Sequence, residues 1–105
     1  MEIYEEIGLR KDQYEEIVGI LSGIDHIEEA IVYGSRAKGN YRKFSDIDLT
    51  LKGDSVTNAD LYRLDDLLYM TYLPYMFDLS IYRDLKNREL IDHIERVGKV
   101  IFKRQ

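Results

Sequence analysis

The chain has no cysteine and no tryptophan, and its 105 residues include a single proline, Pro74. Without cysteine there is no disulfide, no zinc–thiolate site and no sulfur nucleophile, and the composition suits a reducing compartment. There is no Pro- or Ser-rich linker, no repeat and no low-complexity stretch. The length fits one domain, residues 1–105, with a single two-layer core. No apolar run approaches the ~20 residues that a membrane helix needs. The opening MEIYEEIGLRKD lacks the apolar segment of a secretory signal, so a cytoplasmic location is expected. Cations are outnumbered, 15 Lys and Arg against 20 Asp and Glu. That balance argues against non-specific nucleic-acid binding, which depends on surplus positive charge.

What is present is unevenly placed. Residues 36–43, RAKGNYRK, hold Arg36, Lys38, Arg42 and Lys43 and no acid. A charge cluster alone reads as a solvated loop. It reads as a site when an anionic ligand needs positive potential at one place only.

The patterning alternates helix and strand. Residues 11–22 place Tyr14, Ile17, Val18 and Leu21 at helical spacing. Glu28–Tyr33 ends in an apolar run that reads as a buried strand, and GSRAKG then turns into a short helix. Asp46–Lys52 alternates with period two, Ile47, Leu49 and Leu51 on one face and Asp46, Asp48 and Thr50 on the other. Thr57 and Asp60 form an approximate capping box that opens a helix to about Leu73, with Leu61, Leu64, Leu68 and Tyr72 as its core stripe. Tyr62, Asp66, Tyr69 and Leu73 fall on another face of that helix. Met76–Tyr82 reads as a third strand, Asn87–Arg96 as a helix ended by Gly98, and Lys99–Phe102 as a last strand. The expected fold is α/β (α+β), an about four-stranded mixed sheet with helices packed on it.

Three features carry chemistry. Gly34-Ser35 follows a buried strand and opens a helix, where glycine admits a phosphate close to the backbone and Ser35 adds a hydroxyl. Asp46-Ile47-Asp48 puts two carboxylates on one strand face. Asp78 stands alone in the apolar run YMFDLSIY, where an acid is costly unless solvated, paired or bound to metal. Three neighbouring carboxylates repel unless cations intervene, and oxygen-only ligands favour Mg²⁺ or Mn²⁺ over zinc. Two such ions about 3.5–4 Å apart can clamp the attacking and leaving oxygens of a phosphoryl displacement. With each residue type at roughly one position in fifteen, Gly-Ser, ten residues, then Asp-x-Asp should arise by chance in about two such chains per thousand.

Gly34-Ser35-x₁₀-Asp46-x-Asp48, with Asp78 downstream, resembles the signature of the DNA polymerase β-like nucleotidyltransferase superfamily. The length and the GSRAKG sequence resemble the minimal nucleotidyltransferases, the MNT antitoxins of HEPN/MNT toxin–antitoxin pairs. The resemblance implies a single nucleotidyltransferase domain that moves AMP from ATP to a tyrosine of a HEPN ribonuclease toxin. It implies two Mg²⁺ ions held by Asp46 and Asp48, with Asp78 as third carboxylate and an aid in deprotonating the acceptor. Gly34 and Ser35 would hold the β- and γ-phosphates, and Arg36 and Lys38 would stabilise phosphate charge. The chain shows no second domain for a large acceptor, which favours an acceptor presented by another protein.

Two alternatives differ in class. One is a nucleotidyltransferase for a small molecule or RNA with a separate substrate-binding subunit. The other is an antitoxin that acts by binding alone; it would still neutralise its partner after loss of the carboxylates. His26 and His93 show no ligand spacing and are read as structural, and Asp65-Asp66 as a solvated helix face.

Overall fold

The computed structural model describes all 105 residues. The elements are α1 (Ile3–Glu6), α2 (Lys11–Ser22), β1 (Glu29–Tyr33), α3 (Gly34–Lys38), β2 (Ile47–Lys52), α4 (Asn58–Tyr69), β3 (Phe77–Ile81), α5 (Arg88–Val97) and β4 (Lys99–Lys103), with one 3₁₀ turn at Tyr82–Asp84. The sheet order is β3-β2-β1-β4. β1 runs antiparallel to both β2 and β4, while β2 and β3 are parallel, with α4 as their crossover. The sheet is therefore four-stranded and mixed, as the patterning predicts. No helix is long and apolar enough to cross a membrane.

The period-two alternation sorts the two sheet faces. One face carries Ala30, Val32, Leu49, Leu51 and Ile81 into the main core, against Ile17 and Leu21 of α2 and Leu64 and Leu68 of α4. Each of the Val, Leu and Ile side chains contributes about 1.5–3 kcal/mol by leaving water. The other face carries Ile31 and Tyr33, which pack with Ile94 of α5. Asp48 and Thr50 also lie on this second face, alternate to Leu49 and Leu51.

Two helical expectations change. α1, with buried Ile7 and Leu9 after it, had no assigned element, because one helical turn is too short to show a period. α4 ends at Tyr69, not near Leu73. The Thr71 hydroxyl donates to the Leu68 carbonyl at 2.6 Å and accepts from the Leu73 N–H at 3.2 Å, turning the chain. Pro74 then disfavours helical backbone at Leu73. Tyr72 thus lies outside the helix and fully exposed, while Leu64 and Leu68 of the expected stripe are buried. The capping box forms as read: the Thr57 N–H donates to Asp60 Oδ2 at 2.9 Å, and the Asp60 N–H donates to Thr57 Oγ1 at 3.4 Å.

Candidate functional site

The strand register assembles a row of polar groups across the sheet. Tyr33 of β1 pairs with Asp48 of β2, and Asp48 pairs with Asp78 of β3. One row further along, Ser80 Oγ donates to Thr50 Oγ1 at 2.9 Å, which satisfies the fully buried threonine. Asp46 stands two residues before Asp48, at the entry of the same strand. Burial first, then the charges of Asp78 and Asp46, push the Asp48 carboxyl above its ordinary value. The carboxylates therefore sense one another.

Asp78 is exposed, because β3 is an edge strand with solvent beside it. Its apolar sequence neighbours made it look costly; the sheet edge removes most of that cost. No lysine or arginine forms an ion pair with Asp46, Asp48 or Asp78. As placed, no three Asp, Glu or His side chains close on a single point. The donor set nevertheless fits a hard divalent cation: oxygen only, mutually repelling, and without a cation from the chain itself.

Gly34 joins the β1–α3 turn to these acids. It follows β1 directly with φ +74°, a region that L side chains rarely adopt. A Cβ at this position would overlap the Asp48 carboxylate. Only glycine lets the turn rest against Asp48. Ser35 follows half-buried on α3. Lys38 is exposed at the end of α3 and in no ion pair.

Arg36 departs from its expected role as a nucleotide contact. It is 1% exposed. Its guanidinium donates to the carbonyls of Ile7 (2.9 Å), Gly8 (3.3 Å), Lys43 (3.4 Å) and Ser45 (2.9 and 3.1 Å). Tyr41 and Tyr75 lie over it at 5.3 and 4.5 Å from their ring centres. Its donors are committed to tying the 41–46 loop and the segment after α1 onto α3. Of the two cations in the motif, Lys38 alone is open to an anion.

His93, read from the sequence as structural, lies against the turn. From α5 it reaches the turn, and the Gly34 N–H donates to its Nε2 at 2.9 Å. Its ring also meets Tyr33 edge-on, 6.1 Å between centres. The only available signal was its place on the face of α5 shared with Leu90 and Ile94, which pack on this side of the sheet. His26 instead lies on the surface, its Nδ1 2.8 Å from Asp60. A separate cavity of about 370 Å³, lined by Leu68, Tyr69, Leu73, Tyr75, Met76 and Phe77 among others, contains none of the three carboxylates.

The chain matches the family model described as "Polymerase beta, Nucleotidyltransferase" over residues 15–105. Solved structures share the fold. A chain of a toxin–antitoxin complex with AMP-PNP superposes with a TM-score of 0.69 at 22% identity, covering 88% of this chain and 74% of that one. A chain of the toxin–antitoxin MntA–HepT gives 0.64 at 20% identity, covering 91% and 74%. A chain of the complex between tri-AMPylated Shewanella oneidensis HEPN toxin and an MNT antitoxin gives 0.65 at 19% identity, covering 90% and 73%. Among curated proteins, none matches.

Proposed function

The chain belongs to the polymerase beta nucleotidyltransferase family, and on that basis we propose that it is an antitoxin that transfers AMP from ATP to a tyrosine hydroxyl of a cognate HEPN ribonuclease, releasing pyrophosphate. The observation that carries this reading is the seating of Gly34 on Asp48, with Asp78 beside it in register. A turn suited to phosphate and a carboxylate pair share one end of the sheet. The likeness to chains of toxin–antitoxin complexes, one with AMP-PNP and one with an AMPylated HEPN toxin, supports the choice of acceptor.

In this reading Asp46 and Asp48 would hold two Mg²⁺ ions, or Mn²⁺, with Asp78 as the third carboxylate. The ions, when bound, offset the charge that builds on the phosphate oxygens. Ser35 donates its hydroxyl to the β- and γ-phosphates, which approach closely because Gly34 has no side chain. Lys38 adds positive charge near the leaving pyrophosphate. The tyrosine oxygen attacks the α-phosphorus in line and forms the new O–P bond. The bond from the α-phosphorus to the bridging oxygen breaks, and pyrophosphate leaves with that electron pair. Asp78, the exposed carboxylate, takes the hydroxyl proton. The partner docks on the face of α4 that presents Tyr62 and Tyr69, 70% and 89% exposed, with the acids Asp65 and Asp66 on the same helix facing a basic helical surface.

The test is to mix the protein, Mg-ATP and the proposed HEPN ribonuclease partner, and to follow the ribonuclease by intact mass. The wild type should add AMP mass and silence the ribonuclease. Asp46→Asn and Asp48→Asn should fold and add none. Full transfer by either variant under saturating Mg-ATP would sink the metal assignment. Neutralisation without any mass change would show an antitoxin that acts by binding alone.

A further inference from the structure

We propose that His93 is a positioning residue for the nucleotide turn: its Nε2 holds the Gly34 N–H and so fixes the peptide that aims Ser35. This inference rests on the nucleotidyltransferase reading above and adds to it a residue outside the Gly-Ser and Asp-x-Asp pattern.

The argument starts from the needs of one N–H group. Gly34 is the first residue of α3, so its amide has no partner within the helix. It also lies just beyond the last residue pair of the β1–β2 ladder, Tyr33 with Asp48. A half-buried amide in that position requires an acceptor from elsewhere. His93, 59 residues away in sequence, supplies it at 2.9 Å. The donor is an N–H, so the accepting Nε2 carries a lone pair, and the ring proton of the neutral imidazole sits on Nδ1. Burial, then the charges of Lys38 and Arg96, lower the His93 pKa and favour that neutral form.

The grip is two-sided. The His93 ring meets Tyr33 edge-on, with the planes at 78°, and its Nε2 holds the amide of the next residue. The peptide linking Tyr33 to Gly34 is thus held at both ends by one side chain. On the far side of Gly34 lies the Asp48 carboxylate. Rotation of this peptide would carry Gly34 off Asp48 and swing Ser35 away from the carboxylate edge. The same bond means that the Gly34 N–H is occupied. The phosphate tail is therefore read by Ser35, and Gly34 contributes space, not a donor.

Two substitutions separate this role from simple packing. Leu at position 93 keeps apolar bulk and removes the acceptor. Gln places an amide oxygen near where Nε2 sits. Three measurements on the purified protein apply: amide hydrogen exchange at Gly34, the ring ¹⁵N shifts of His93, and calorimetric binding of AMP-PNP with Mg²⁺. The wild type should show a protected Gly34 amide, a pyridine-like Nε2 and a pyrrole-like Nδ1. His93→Leu should lose Gly34 protection and bind the nucleotide about three- to tenfold more weakly, the loss expected for one neutral hydrogen bond. His93→Gln should restore both to within about twofold. A protonated Nε2, wild-type nucleotide binding by His93→Leu, or equal impairment of the Leu and Gln variants would each overturn the assignment. If the wild type itself bound no nucleotide while Gly34 exchange followed the expected order, the nucleotidyltransferase reading would fail and the His93–Gly34 contact would stand as structural.

Discussion

Arg36 and Lys38 stand two residues apart on one short helix, with opposite fates. Arg36 spends its donors on four backbone carbonyls and lies between two tyrosine rings, while Lys38 is left in solvent. Guanidinium suits this task because its planar fork reaches several carbonyls at once and its faces stack on rings. The two cations should separate cleanly by experiment. Arg36→Met leaves the Ile7 and Ser45 carbonyls without their donor and should lower the unfolding free energy by about 3 kcal/mol, since bonds to a charged group are among the stronger ones. Lys38→Met should stay within about 0.5 kcal/mol of wild type in the same urea titration, yet weaken Mg-ATP binding. A stable Arg36→Met protein with selectively lost nucleotide binding would return Arg36 to the phosphate site.

Among the elements, α4 presents two contrasting faces. Leu64 and Leu68 seal the core, and Tyr62 and Tyr69 project into solvent. Exposed large side chains continue past its end at Met70, Tyr72 and Met76. Tyrosine and methionine are enriched in protein contact surfaces, which is why the docking surface is placed here. Changing both Tyr62 and Tyr69 to serine should leave the circular dichroism spectrum intact, because neither side chain is buried. Pull-down of the proposed HEPN partner and AMP transfer to it should both fall, whereas AMP-PNP binding should not change. Undiminished capture and transfer would place the docking surface elsewhere and leave the nucleotide site untouched. β3 shows a second lesson at this scale. Its position at the sheet edge lets Asp78 stay hydrated on a strand whose alternate residues, Leu79 and Ile81, face the core.

For the molecule as a whole, the site and the stability of the fold pull against each other. Burial and two neighbouring acids raise the folded-state pKa of Asp48 above its unfolded value. The folded protein therefore binds the Asp48 proton more tightly than the unfolded chain does. Between the two pKa values stability falls as pH rises, and above the folded value the cost of the ionised group is fully present. The metal-free wild type should accordingly gain stability relative to Asp48→Asn as pH drops from neutral through that window. At neutral pH Asp48→Asn should be at least as stable as wild type. Thermal unfolding of the two proteins across that range in EDTA checks this, and a wild type more stable than Asp48→Asn at neutral pH would refute it. Local patterning in the sequence was enough for the strand alternation, the Thr57 cap and the spacing of Gly34, Ser35, Asp46 and Asp48, because each depends on residues near one another in the chain. It was enough, too, for which faces of β2 are apolar and which acidic. The tertiary structure alone decided that Arg36 is buried, that Asp78 lies on an exposed edge, and that His93 closes on Gly34. Those depend on which distant segments pack together, and a charge or an imidazole looks the same in sequence whether water or a carbonyl surrounds it.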